Sequence, residues 1–154
     1  MRFPYMAKRV RVPVYSLGGA SHLYLPMFAI SVVTPSGRHV IDGMVDSGAT
    51  DVVFPSHVPN QVGLNLANAP VGQAMQAGGA VLAFRYAQVR LFLSDGREGY
   101  EWDAVVGFLA SPRKPYALLG HAGFLNFFDV LLRGAAKETV VDPNAAFPGQ
   151  RVRP

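Results

Sequence analysis

The chain has 154 residues, half of them apolar and only 16% charged, with a formal net charge of +4. That length is one domain by the usual prior, and the low charge points to a well-filled core or to apolar surface covered by a second chain. The lack of cysteine excludes disulfides, thiolate chemistry and zinc–sulfur sites.

Basic residues crowd the ends: Arg2, Lys8, Arg9 and Arg11 at the start, Arg151 and Arg153 at the finish. Residues 1–12 are read as a solvated basic arm, 13–142 as the domain and 143–154 as a flexible tail. In between, the basic residues are mostly single, so no nucleic-acid partner is expected. No run approaches the roughly eighteen apolar residues of a membrane span. The opening MRFPYMAKRVRV has no apolar core of signal-peptide type, so a cytoplasmic protein without membrane attachment is expected.

Sixteen glycines and twelve prolines punctuate short runs rich in Val, Phe, Leu and Tyr, the pattern of an all-β domain. Leu23 to Val33 reads as a strand with Pro26 near its start or at an edge. Thr34-Pro35-Ser36-Gly37 is a turn, and Arg38 to Val45 returns as the second arm of a hairpin. Val52 to Phe54 is a short strand stopped by Pro55. Val58 to Gly72 is loop-like. Ala74 to Ala77 and Ala80 to Leu93 are predicted strands around a hairpin tip at Gly78-Gly79. A turn at Ser94 to Arg97 precedes a strand from Glu101 to Leu109, and Ala117 to Leu119 is a short buried strand ending at Gly120. His121 to Phe128 is the one predicted helix, with Phe124, Leu125 and Phe128 at helical spacing. Asp129 to Leu132 and Thr139 to Val141 form a last hairpin.

The stretch MVDSGATDVVFP, residues 44–55, carries an ionisable carboxylate to the end of an apolar strand and then turns through small residues. An Asp-[Ser/Thr]-Gly triplet arises by chance in about one chain in twenty of this length, and all three residue types favour turns. Its setting between two apolar strands, followed by Ala49 and Thr50, is not that of a surface turn. Gly48 permits a tight turn and close approach, Ser47 offers a hydroxyl, and Ala49 keeps the loop small. A carboxylate so placed does acid–base work when a second one lies about 3 Å away, because the two then share a proton.

Asp46-Ser47-Gly48-Ala49-Thr50 resembles the active-site motif of the retropepsin-like aspartic proteases, Asp-[Thr/Ser]-Gly-[Ala/Ser]. Ala117-Leu118-Leu119-Gly120 followed by Phe124-Leu125 resembles the apolar-apolar-Gly strand and short helix near the end of that fold, where the strand crosses behind the catalytic loop. Gly78-Gly79 before a long strand resembles the flap that closes over substrate. The likeness runs from about Pro13 to Val141. It implies a single-domain, all-β acid-protease barrel with one short C-terminal helix. Asp46 would be catalytic, Ser47, Gly48, Ala49 and Thr50 would support its loop, Gly78 and Gly79 would belong to the flap, and Leu119 and Gly120 would pack near the active site. Retroviral members have Asp where Thr50 stands and Arg where His121 stands. His121 is thus either a partner of Thr50 or Asp51 or a surface residue opening the helix. Thr in this loop suits the cellular and bacterial branch.

Only one such loop occurs, so the second carboxylate must come from a second copy. A C2 homodimer acting on a peptide or protein is implied, with no cofactor and no metal. Substrate would lie extended as an added strand among apolar walls that include Val52, Phe54, Val81 and Phe84. The main alternative is a catalytically inactive domain of the same fold that dimerises or binds peptides. An unrelated β-barrel binding module is a further one. A metal site is disfavoured because His22, His39, His57 and His121 lie singly, without paired ligand spacing.

Overall fold

Strand-rich composition produces a β structure throughout. The computed structural model describes residues 1–75, 79–112 and 115–154. The first strands are β1 (Arg2–Pro4), β2 (Met6–Val14), β3 (Ala20–Leu25), β4 (Met27–Thr34) and β5 (Gly37–Val45). Then come β6 (Val53–Phe54), a four-residue helix α1 (Val58–Gln61), β7 (Val71–Met75), β8 (Val81–Ser94) and β9 (Gly99–Leu109). The chain ends with β10 (Ala117–Leu119), β11 (Phe128–Arg133), β12 (Glu138–Pro143) and β13 (Gln150–Val152).

Eight strands pair in the order β13-β9-β6-β10-β5-β4-β8-β7, and β8 also pairs with β9. That extra pairing closes β9-β6-β10-β5-β4-β8 into a barrel, which removes the open edges a flat sheet would expose. β1, β12 and β11 form a three-stranded sheet, and β2 with β3 a separate hairpin. Among the described residues, no helix is long and apolar enough to cross a membrane.

β8 and β9 run antiparallel without a break in register from Phe84↔Leu109 to Ser94↔Gly99. Side chains alternate along a strand, so Leu91 and Leu93 share one face of β8 while Leu82 and Phe84 share the other; all four are buried. β8 therefore changes the face it covers as it leaves the barrel wall and rises beside β7.

The core is aromatic. Trp102 lies 5.0 Å from Phe128 by ring centroids, Phe128 the same distance from Phe124, and Phe3 stacks on Phe28 at 4.4 Å. The indole N–H of Trp102 donates to the Gly123 carbonyl at 2.9 Å, which satisfies the polar atom that a buried tryptophan carries. Each such ring contributes about 1.5–3 kcal/mol by leaving water.

Four expectations are corrected. The strand from Leu23 to Val33 is two strands in different sheets, parted at Pro26, which has no N–H to give a ladder; its carbonyl accepts from Val45 N at 3.0 Å. The basic arm is not loose: β1 pairs with β12, and Met1 and Phe3 are buried. Nor is the tail, because β13 pairs with β9 and Phe147 packs 5.9 Å from Trp102.

The last correction concerns the C-terminal helix expected over His121 to Phe128, which is a run of turns. Gly123 adopts φ +96°, outside the helical region, and a Cβ there would stand 3.3 Å from Val52 Cγ2. Leu125 N bonds back to Gly120 O and Asn126 N to His121 O, five residues away, and one α-type turn survives between Phe128 N and Phe124 O. That turn is what the helical spacing of the two phenylalanines expresses. The helix among the described residues is α1, in the segment expected to be loop, with Pro59 in its first turn, where its missing N–H costs nothing.

Candidate active site

β10 lies between the two strands that flank the Asp46 loop. It runs parallel to β5, Leu119 opposite Val45, and antiparallel to β6, Leu118 opposite Val53. The loop from β5 to β6 must therefore pass over the end of β10. Backbone hydrogen bonds fix the crossing: Asp46 N to Leu119 O at 3.2 Å, His121 N to Ala49 O at 3.0 Å, Ala122 N to Thr50 O at 2.7 Å, and Val52 N to Ala122 O at 3.0 Å. Gly120 sits beneath the loop, where any side chain would strike the carbonyls of Ala49 and Asp51.

Inside the loop, Asp46 Oδ1 accepts from Gly48 N at 3.0 Å and the Asp46 carbonyl accepts from Ala49 N at 3.1 Å. This is the local turn that Asp residues favour. It holds the carboxylate in one orientation, half-buried at the edge of a cleft of about 680 Å³. Among the described residues, no side-chain bond joins Asp46 to a second carboxylate, and its Oδ2 is uncommitted. Ser47 and Thr50 are exposed and Ala49 is half-buried. His121 bonds neither Thr50 nor Asp51 through its ring. Its Nε2 lies 3.0 Å from the Ser47 carbonyl and donates to it, bracing the loop from outside.

The cleft is floored by Asp46 and residues 48–51, and Gln73, Ala74 and Met75 of β7 overhang it. A second hollow of about 560 Å³ adjoins it through Leu109. The cation of that hollow, Arg85, is occupied, donating from Nη1 to the carbonyls of Ala67 and Ala69 at 3.2 and 3.0 Å. The cleft above Asp46 is therefore the better candidate for chemistry.

By sequence the chain matches no protein-family model and no curated protein. By structure it is similar to the crystal structure of a retropepsin-like aspartic protease from Rickettsia conorii, with a TM-score of 0.50 and 12% identity, over 99% of this chain and 95% of that one. The chain has a retropepsin-like fold. At 12% identity the likeness concerns the fold alone.

Within this retropepsin-like barrel, Asp46, Gly48, Ala49 and Thr50 border the cleft, while Leu119 and Gly120 lie buried under the loop. Gly79, at φ +78°, is exposed in the β7–β8 connection with open space around its Cα, and Gly78 lies outside the described residues. Of the expected walls only Phe84 lines the cleft. Val52 and Phe54 are 0% exposed in the core, and Val53, one position out of phase, takes the wall. A one-residue change of phase exchanges the two faces of a strand. Alternation from Asp51 to Val53 could have given this, because a carboxylate and a core valine do not share a face.

Sequence reasoning also missed Tyr86. Its hydroxyl donates to Asp51 Oδ2 at 3.2 Å. Burial raises its pKa above the ordinary tyrosine value, and the negative Asp51 beside it raises it further. The four histidines gather no ligand set: among the described residues no three His, Asp or Glu side chains come together as a metal would need.

Proposed function

We propose that this chain is an aspartic endopeptidase that works as a C2 homodimer, each copy supplying one Asp46 to a dyad on the two-fold axis. One observation carries the reading: the Asp46 carboxylate, oriented by its own loop and braced from beneath by Leu119 and Gly120, stands at the edge of a large cleft whose walls include Val53, Leu82, Phe84 and Leu109. Two such carboxylates about 3 Å apart share one proton. The ionised one takes a proton from a bound water while the protonated one donates to the scissile carbonyl oxygen. Water adds to the carbonyl carbon, and the resulting tetrahedral diol collapses with protonation of the leaving amine. The steps need no covalent enzyme intermediate and no metal. An extended substrate would bond by its main chain to the strands that border the cleft.

The test is hydrolysis of a mixed peptide pool at pH 4 to 7 by the unsubstituted protein and by Asp46→Asn, with products read by mass spectrometry at several protein concentrations. Cuts that vanish in the variant, and a rate per chain that falls on dilution, support the reading. A protein shown to be dimeric that cuts nothing is instead a peptide-binding or dimerisation domain of the same fold.

A further inference from the structure

Among the described residues, Asp46 and Asp51 are the only charged side chains lining the cleft, and apolar walls such as Val53, Leu82, Phe84 and Leu109 surround them. The dyad reading absorbs Asp46. It leaves Asp51 without a task, although Asp51 is held as firmly as Asp46. Its backbone pairs in a parallel bridge with Ala122. Its Oδ2 accepts from the Tyr86 hydroxyl at 3.2 Å.

Tyr86 is itself fixed from three sides. A Cβ on Gly72 would stand 2.7 Å from Tyr86 Cε2, so the ring edge lies against bare backbone of β7. Phe84 meets the ring edge-on at 5.2 Å, and Tyr86 N bonds to Pro70 O at 2.9 Å. A neutral phenol donates one hydrogen bond. That bond goes to Oδ2 and leaves Asp51 Oδ1 without a partner among the described residues. A carboxylate oxygen without a protein partner is a strong acceptor for a cationic donor, and the cleft beside it is open to a ligand.

We propose that Asp51 makes the cleft select a cationic group: an extended peptide places an ammonium or guanidinium, from a Lys or Arg side chain or from its own amino terminus, against Asp51 Oδ1. This rests on reading the cleft as a peptide site, and it replaces purely apolar specificity with apolar contacts plus one basic position. Because Tyr86 and the Ala122 bridge hold the carboxylate before ligand arrives, little ordering is left for binding to accomplish.

The experiment is calorimetric titration of N-acetylated apolar peptides that carry Lys, or its uncharged analogue norleucine, at successive positions. The unacetylated all-norleucine parent is included. The receptor is the Asp46→Asn protein, so that peptides survive, with and without Asp51→Asn. Lysine at one position is expected to tighten binding roughly tenfold, the effect of one partly desolvated charge pair. Asp51→Asn should abolish that gain and leave norleucine affinity within about twofold, which also shows that the fold is intact. A gain confined to the unacetylated parent supports the site and names the amino terminus as its ligand. Equal affinities for lysine and norleucine everywhere, a lysine gain that survives Asp51→Asn, or no binding of any peptide overturns the inference. Cleavage that depends on Asp46 but ignores lysine sinks the cation site alone. A lysine preference in binding, with no cleavage by the unsubstituted protein, sinks the peptidase reading alone.

Discussion

Gly120 lies directly under Ala49: a Cβ on Gly120 would stand 2.5 Å from the Ala49 carbonyl oxygen, with the Asp51 carbonyl closing the other side. Both obstacles are backbone, so neither can swing away. The end of β10 and the Asp46 loop therefore behave as one rigid piece, further tied by His121 N to Ala49 O and Ala122 N to Thr50 O. Gly120→Ala is expected to lower stability by about 1–3 kcal/mol, the usual cost of forcing a methyl into a packed site. Because the displaced atoms belong to the loop, peptide hydrolysis should fall well beyond the loss of folded protein. Urea denaturation alongside specific activity checks this; a variant of unchanged activity would show the loop to be more compliant than its contacts imply.

Asp95 closes the turn between β8 and β9 and sets an acid limit. Burial pushes its pKa up, but the N–H groups of Glu98 at 2.9 Å, Arg97 at 2.9 Å and Arg2 at 3.0 Å outweigh that, and the net shift is downward. A depressed carboxylate stabilises the fold fully above its unfolded pKa near 4, and this is lost as pH falls through the folded value. Asp95→Asn should cost about 1–2 kcal/mol at pH 7 and flatten the decline in denaturation midpoint between about pH 5 and pH 2. A parallel decline in both proteins would remove Asp95 from the account.

Tyr86 acts at the other end of the scale. Its raised pKa means that the folded state keeps the phenolic proton when the unfolded chain has lost it. The contribution is complete below the unfolded value near 10 and fades as pH rises through the folded one. The unsubstituted protein should thus lose more stability between about pH 9 and pH 11 than Tyr86→Phe does. Denaturation midpoints at the two pH values decide it. An equal loss would mean that in solution the hydroxyl is neither buried nor held by Asp51 as the structure has it.

Much of the barrel was legible in the sequence because its signals are local. Thr34 to Gly37 is a turn by residue type, and the strands on either side of it pair from Met27↔Met44 to Thr34↔Gly37. The Asp46 loop was legible because a rare triplet stood between two apolar runs, with a glycine-ended strand far downstream to support it. What escaped depends on contacts distant in sequence. Tyr86 meets Asp51 across 35 residues of separation, and no spacing announces such a pair. The phase of Val53 escaped because Val52, Val53 and Phe54 are all apolar; their own hydropathy does not separate them, and only alternation counted from Asp51 would have done so. The helix expected at His121 failed on Gly123, whose positive φ answers to Val52, roughly seventy residues earlier in the chain.

The C-terminal segment offers the sharpest check on that kind of long-range contact. A proline- and glycine-containing stretch after Pro143 reads as loose tail, yet Phe147 packs among Tyr100, Trp102 and Phe128 at ring distances of 5.7, 5.9 and 5.0 Å, and β13 then adds to β9. Phe147 is only partly buried, so Phe147→Ala should cost less than the 3–5 kcal/mol of a fully enclosed ring, about 1–3 kcal/mol. Trp102 is the sole tryptophan and is 2% exposed, which makes its fluorescence a direct reporter. Removing the Phe147 ring should red-shift Trp102 emission in the native protein and lower its denaturation midpoint together. An unshifted spectrum with unchanged stability would mean that the segment leaves the barrel in solution and that Trp102 is covered without it.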